Sequence, residues 1–170
     1  LPMQHLPREH VVAPPAVNLE QARPLRLRRA LAQRGLTEAV TFSFLAEKEA
    51  VMFGGGDVCL RLVNPISADL SIMRPSALPN LLSAAAFNQD RGEADVAMFE
   101  IGPVFFGDTP DQQRTAVAGI RHGAMAPREW HGSRRMVDVF DIKADVEAGL
   151  SALGVRRDSL QIEKGGPDYF

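Results

Sequence analysis

Along "AVTFSFL" (39–45) Val40, Phe42 and Phe44 alternate with Thr41 and Ser43, the two-residue period of a half-buried strand. "VCLRLV" (58–63) predicts a second strand after the break at "FGGGD" (53–57). "DVAMFEIGPVFF" (95–106) and "TAVAGIR" (115–121) predict two more. The Gly-Asp-Thr-Pro run at 107–110 supplies the turn that makes this last pair a hairpin. "VDVF" (137–140) and "SLQIEK" (159–164) predict short strands. Helical spacing is seen in three places. A helix is expected to open near Pro24, a residue tolerated in a first turn, and to run through "LRLRRALAQR" to Gly35, with Leu27, Ala30 and Leu31 as its apolar stripe. Another covers Ser76 to Arg91 and closes at Gly92, and a third starts at an N-cap, Asp141, carries Asp145 in its next turn and ends before Gly154. Strands and helices do not alternate as a βαβ repeat, so the pattern predicts an α+β fold with an antiparallel sheet flanked by helices.

Composition narrows the class without naming a chemistry. The 170 residues, 45% hydrophobic and 24% charged, fit one globular domain that buries roughly 70% of its unfolded surface. The formal net charge of −2 gives no overall pull toward nucleic acid or membrane. The single cysteine, Cys59, excludes an internal disulfide and fits a reducing compartment. The chain has no apolar run near the ~18 residues that span a bilayer and no leader pattern, so a cytoplasmic, non-membrane protein is expected. Residues 1–19 hold Pro2, Pro7, Pro14 and Pro15 without a sustained period and read as a linker, leaving 20–170 as the folded domain. No initiator Met begins the chain, which ends on Tyr169-Phe170; an excised piece of a longer protein is expected.

Direct searches for chemistry return little. His5, His10, His122 and His131 show no i, i+4 pairing and no cysteine pair, so no metal site is expected. "FGGGD" lacks the lysine and glycine spacing of a phosphate-cradling loop and reads as a turn. Asp138, Asp141, Asp145 and Glu147 could work as acid and base, but carboxylates at a helix start more simply cap it. Ser43, Ser67, Ser71 and Ser76 have no nucleophile-elbow context. No catalytic residue is assigned. Arg23, Arg26, Arg28, Arg29 and Arg34 give the first helix a basic face that is either solvated or a contact for phosphates.

One stretch stands apart. In "NPISADLSIMRPSALPNLLSAAAFNQDRG" (64–92), Arg74 is the only cation between Arg61 and Arg91 and sits at the mouth of a nearly uncharged helix. It could meet an anion there, or form a structural ion pair or carbonyl contact, with Glu100 across the sheet as the partner. Asn64-Pro65 and Arg74-Pro75 pin the entering chain, because a residue before proline is pushed out of the helical region. The helix is apolar around most of its circumference, at Leu78, Leu81, Leu82, Ala84, Ala85, Ala86 and Phe87, which implies contacts on more than one side. These are either helix packing within the domain or a subunit interface of the helix and the loop from Asn64 to Ser71, whose candidate residues are Asn64, Pro65, Arg74, Pro75, Leu78, Leu81, Leu82 and Ala85.

Taken in order, "RRALAQRGLTEAVTFSF" (28–44), "LVNPISADLSIMRPSALPNLL" (62–82), "DVAMFEIGPVF" (95–105) and "VDVFDIKADVEAGLSALG" (137–154) resemble the catalytic-like domain of bacterial phenylalanyl-tRNA synthetase β chains, over about residues 8–160. The resemblance implies a class II aminoacyl-tRNA synthetase-like fold. It also implies a parent enzyme, a phenylalanine-tRNA ligase, that uses ATP and Mg2+. In that enzyme a catalytic α subunit pairs with the β chain as an (αβ)2 heterotetramer acting on tRNA(Phe). The Pro-rich start resembles the tail of a preceding small domain, and the domain is expected to be truncated at its C-terminus. "FEIG" (99–102) resembles a worn second motif of the class, with Met98 and Phe99 where an ATP-binding arginine is needed. The family's third motif falls past the chain's end. The resemblance therefore implies a noncatalytic scaffold for assembly and tRNA positioning, without a cofactor of its own. Arg26, Arg28, Arg29 and Arg34 are candidate tRNA contacts. Self-association of the piece is expected. The alternatives are an active ATP-dependent adenylating enzyme and an amino-acid-sensing regulatory domain.

Overall fold

The structure, a computed structural model, describes residues 17–126, 130, 134–163, 165–167 and 169. Most of the Pro-rich start and His5, His10 and His131 lie outside the described residues. The first helix, α1, spans Leu19–Gln33 and opens five residues before Pro24. Asn18 is the cause. Its side chain accepts from the Gln21 amide at 2.9 Å while the Gln21 side chain accepts from the Asn18 amide, a reciprocal cap that fixes the start upstream. Pro24 thus lies inside the helix and removes one backbone bond, to the Glu20 carbonyl. The expected stop holds: Leu36 N–H donates to the Leu31 carbonyl and Gly35 N–H to that of Ala32, with Gly35 at φ +80°, a geometry that a side chain resists.

The strand predicted over 39–45 divides. Thr37–Glu38 forms β1 and Phe44–Leu45 forms β2, in two different sheets. Between them the backbone is spent on side chains instead of a ladder. The Thr41 amide donates to the Glu100 carboxylate, and the Phe42 carbonyl accepts from Arg74 and Asn80. Val40 and Phe42, expected to be half-buried, are 89% and 60% exposed. A short helix that periodicity did not mark, α2 (Glu47–Met52), follows. The strand expected at 58–63 is a 3-10 turn over Val58–Leu60, because the Asp57 carboxylate accepts from the Cys59 amide and curls the chain. Only Arg61 bridges to Ile72. β3 is Ile72–Met73, paired antiparallel with β2.

α3 spans Leu78–Gln89. β4 (Val96–Phe105) and β5 (Gln113–His122) form the expected hairpin, from Val96 opposite His122 to Phe105 opposite Gln113. β1 pairs with β4 in parallel, so the three-stranded sheet, in order β1-β4-β5, is mixed rather than purely antiparallel. α4 (Val139–Ala152) replaces the strand expected at 137–140. Asp138 is its N-cap and Asp141 the third residue. The Asp138 carboxylate accepts from the Phe140 and Asp141 amides, and that of Asp141 accepts from the Asp138 amide. Two acids three residues apart form this reciprocal cap one turn earlier than expected. Residues 160–163 carry no strand; a 3-10 turn, Arg157–Ser159, precedes them. Among the described residues no helix is long and apolar enough to cross a membrane.

The hairpin is covered on both faces. Phe99 of β4 packs with Leu27, Leu31 and Leu36 on the side of α1 and α4, and α3 contacts both hairpin strands. A smaller core, Leu45, Ala50, Leu60 and Ile72, lies under β2, β3 and α2. A side chain as enclosed as Ile72, at 0% exposure, contributes roughly 1.5–3 kcal/mol by leaving water. Consecutive β4 residues Phe99 and Glu100 are both buried, and that demands a partner for the carboxylate.

Candidate functional site

Arg74 leaves the end of β3, where its own backbone joins the two sheets. Its amide donates to the Ser43 carbonyl, and its carbonyl accepts from the Phe105 amide. The side chain is 1% exposed and reaches under the hairpin. Nη2 lies 2.8 Å from Glu100 Oε1, Nε donates to the Pro103 carbonyl at 2.9 Å, and Nη1 donates to Thr41 Oγ1 at 3.0 Å. The Thr41 hydroxyl in turn donates to Glu100 Oε2 at 2.7 Å. The cycle closes, with Glu100 itself 3% exposed. A β-carbon at Gly102 would lie 2.5 Å from Arg74 Nη2, so the glycine of "FEIG" is the gap through which the guanidinium passes. "MRP", "FEIG" and "VTF" are therefore three parts of one internal ion-pair site.

A second cluster lies on the side of α1 and α4. Asp145, 5% exposed, accepts from Arg34 Nε at 2.8 Å and from Arg121 Nε at 2.5 Å and Nη2 at 3.1 Å. Arg121 Nη2 also donates to the Arg34 carbonyl at 2.8 Å. Sequence reasoning assigned Asp145 to helix capping and missed this bridge. The signal was its place four residues from both Asp141 and Gly149, which puts all three on one face of α4, the face that is buried, where a carboxylate needs cations. An apolar cavity of about 160 Å³ lies alongside, lined by Leu27, Leu31, Phe99, Val117, Val146 and Leu150 among others. Asp145, already held by two arginines, is the titratable group on its wall.

The remaining candidate chemistry is absorbed locally. Arg135 donates to both Asp141 oxygens and, with the Asp138 amide, holds that carboxyl well below the usual carboxylate range. Glu147 meets Arg157 at 3.1 Å. Ser76 Oγ accepts from the Leu78 amide, and His122 contacts Gln89 and the Ala94 carbonyl. Among the described residues no group of three or more His, Cys, Asp or Glu is placed to hold a metal. Of the four arginines expected to meet tRNA, Arg28 pairs with Glu38 at 2.6 Å and Arg34 with Asp145, while Arg26 and Arg29 are exposed.

The expected interface residues separate into two sets. Arg74, Pro75, Leu81 and Ala85 are buried within the domain, Leu81 and Ala85 on the inner face of α3 with Pro79. Asn64 and Pro65 are exposed beside fully open Val63 and exposed Ile66, and Leu82 is exposed on α3. Leu78, half-buried, and Leu82 border an open groove with Phe53, Val117 and Tyr169. The division follows helical spacing: Leu81 and Ala85 are four apart, whereas Leu82 sits 100° round the helix from Leu81.

Comparison with known proteins adds the family. Residues 4–170 match the family model described as the phenylalanyl tRNA synthetase beta chain CLM domain. The chain is 50% identical over 163 residues to the phenylalanine--tRNA ligase beta subunit of Bartonella henselae, covering 94% of this chain and 20% of that protein. To the same subunit of Paramagnetospirillum magneticum it is 48% identical over 170 residues, covering 100% and 21%. It therefore spans about a fifth of the length of these relatives. Among solved structures it is similar to a pyrrolysyl tRNA synthetase from Desulfitobacterium hafniense, with TM-score 0.57, 19% identity and coverage of 81% of this chain and 48% of that one. It is also similar to a histidine--tRNA ligase subunit from Alicyclobacillus acidocaldarius, with TM-score 0.54, 18% identity and coverage of 89% and 44%. At such identities the likeness establishes the class II synthetase fold.

Proposed function

Because the chain belongs to the family of the phenylalanyl tRNA synthetase beta chain CLM domain, we propose that it works as a noncatalytic synthetase-like core of a beta subunit in a cytoplasmic phenylalanine-tRNA ligase. The observation that carries this reading is the internal consumption of charge on the sheet. Arg74 and Arg121, the arginines buried against the hairpin, are each paired with a buried carboxylate, Glu100 and Asp145. Holding ATP needs cations free to meet phosphate and preorganised for developing charge, and at the second-motif position β4 offers Met98 and Phe99. The ATP and Mg2+ of the parent enzyme are accordingly handled elsewhere, on the catalytic α subunit. In this reading the synthetase-like unit covers residues 20–170, after the Pro-rich segment at 1–19.

The role left to the domain is assembly with the α subunit in the (αβ)2 heterotetramer and support of bound tRNA(Phe), for which Arg26 and Arg29 are, of the four candidate arginines, those with no ion pair among the described residues. Leu82 on α3 and, separately, the open loop around Asn64, Pro65 and Ile66 are the exposed apolar groups assigned to the subunit-facing surface, since such groups, where contiguous, are ordinarily covered by something. The charge-introducing variant Leu82→Glu, made in the whole beta subunit, is expected to weaken association with the α subunit by about tenfold or more, the loss of a central apolar contact, while its melting curve stays that of the wild type. Sedimentation of the mixed subunits checks this. An unchanged association constant places the interface elsewhere.

A further inference from the structure

The apolar cavity between α1, α4 and the hairpin has room for one small ring. Its volume is about 160 Å³, close to the roughly 150 Å³ of an apolar protein cavity that takes up benzene. Leu27, Leu31, Leu36 and Phe99, all buried, form its floor. Val117 of β5 and Ile142 and Val146 of α4 form its rim and are 48%, 37% and 55% exposed, so a small molecule reaches the floor without unfolding the domain. Two glycines set its bounds. A β-carbon at Gly149 would lie 2.9 Å from Leu27 Cδ1, which marks where α4 closes against α1. A β-carbon at Gly119 would meet the Met98 carbonyl oxygen, Leu36 and Phe99 at distances between 3.7 and 3.9 Å. Those are ordinary contacts, so the backbone at Gly119 leaves space that a side chain could take. Among the described residues lining the cavity, the charged one is Asp145, and its carboxylate is already held by Arg34 and Arg121.

We propose that this cavity is a binding site for one neutral aromatic ring, a ligand of the class of benzene or toluene. Such a ring covers apolar wall on the sheet side and the helix side at once and needs no hydrogen-bond partner. A free amino acid does not match this chemistry. Its ammonium and carboxylate would lose water among leucines and valines, with no unpaired charge on the wall to meet them. The site thus separates a bare ring from phenylalanine, and the domain does not sense the amino acid through it. Occupancy ties α1 to α4 beside the Arg34–Asp145 bridge and favours the folded state by mass action. The site is independent of the assembly reading, since Leu82 and the loop around Asn64 take no part in it.

The test titrates the whole beta subunit, and in parallel this chain, with toluene and with phenylalanine, following the methyl resonances of Leu27, Leu31 and Val146 and the melting temperature. Toluene is expected to shift those methyls with a dissociation constant of about 1 mM or tighter and to raise the melting temperature as its concentration rises. Phenylalanine is expected to leave the methyls unmoved. Gly119→Leu, whose side chain takes the ligand's space, is expected to weaken toluene binding by about tenfold or more. Gly119→Ala adds a methyl at ordinary contact distances, so it is expected to keep the wild-type fold and to weaken binding by less. Unmoved methyls under toluene in the whole beta subunit would overturn the proposal, because other parts of that protein would then fill the cavity. Wild-type toluene affinity in both Gly119 variants would overturn it by placing the site elsewhere. Methyl shifts under phenylalanine would overturn the assignment to a neutral ring. Association of Gly119→Ala with the α subunit is expected to equal wild type, so failure of this site and failure of the assembly reading are separable.

Discussion

Replacing Arg74 by Ala is expected to destabilise the chain by about 3–5 kcal/mol, the cost of breaking a buried pair by removing one partner. At 1% and 3% exposure, neither Arg74 nor Glu100 has water to fall back on, so the carboxylate left behind keeps only the Thr41 hydroxyl and amide as donors. The Pro103 carbonyl loses its side-chain donor as well. The double variant Arg74→Met/Glu100→Leu is expected to lose less than Arg74→Ala alone, because it removes both charges and retains apolar volume. Urea unfolding of the three proteins checks the ordering. An Arg74→Ala midpoint equal to wild type, accompanied by loss of a bound nucleotide or amino acid, would instead mark Arg74 as a ligand contact.

Asp145→Ala is expected to have a comparable effect, again about 3–5 kcal/mol, because it strands a guanidinium inside the domain. The asymmetry of the cluster sharpens the expectation. The Arg121 side chain is 3% exposed, whereas that of Arg34 is 33% exposed. Arg34→Ala is therefore expected to cost about 1 kcal/mol or less, the range of a solvated ion pair. Thermal unfolding of Asp145→Ala and Arg34→Ala under one buffer separates them. Equal losses would mean that the bridge is held by α1 packing and not by burial of Arg121.

Much of the frame was legible because the signals were local and repeated. The β4–β5 hairpin, α3 and the glycine helix stops at Gly35, Gly92 and Gly154 follow from periodicity and turn chemistry alone. What failed did so where a side chain outbid a ladder. "AVTFSFL" has the period of a strand, yet Thr41 and Phe42 give their backbone groups to Glu100, Arg74 and Asn80, partners 32 residues or more away in the chain for the Phe42 and Arg74 contact. Asp57 and Asp138 each turned an expected strand into a helical turn by accepting amides. The Arg74–Glu100 pair was legible, since an isolated cation before a proline and a lone acid within an apolar strand each require an opposite charge. The Asp145 bridge was not, because Asp141 four residues earlier offered capping as a sufficient explanation for both. The interface expectation was half-resolved by geometry: an all-apolar helix does not reveal which side faces inward, and the fold assigns Leu81 and Ala85 to the interior and Leu82 to the surface.

The most direct test of a noncatalytic core is calorimetric titration of this chain with ATP and Mg2+, followed by phenylalanine-dependent pyrophosphate exchange in the same preparation. With Arg74 and Arg121 both neutralised internally, no binding tighter than about 1 mM, the weak end of ordinary affinities, and no exchange above background are expected. Sub-millimolar ATP binding coupled to phenylalanine-dependent exchange would contradict the account and make the domain an adenylating enzyme in its own right.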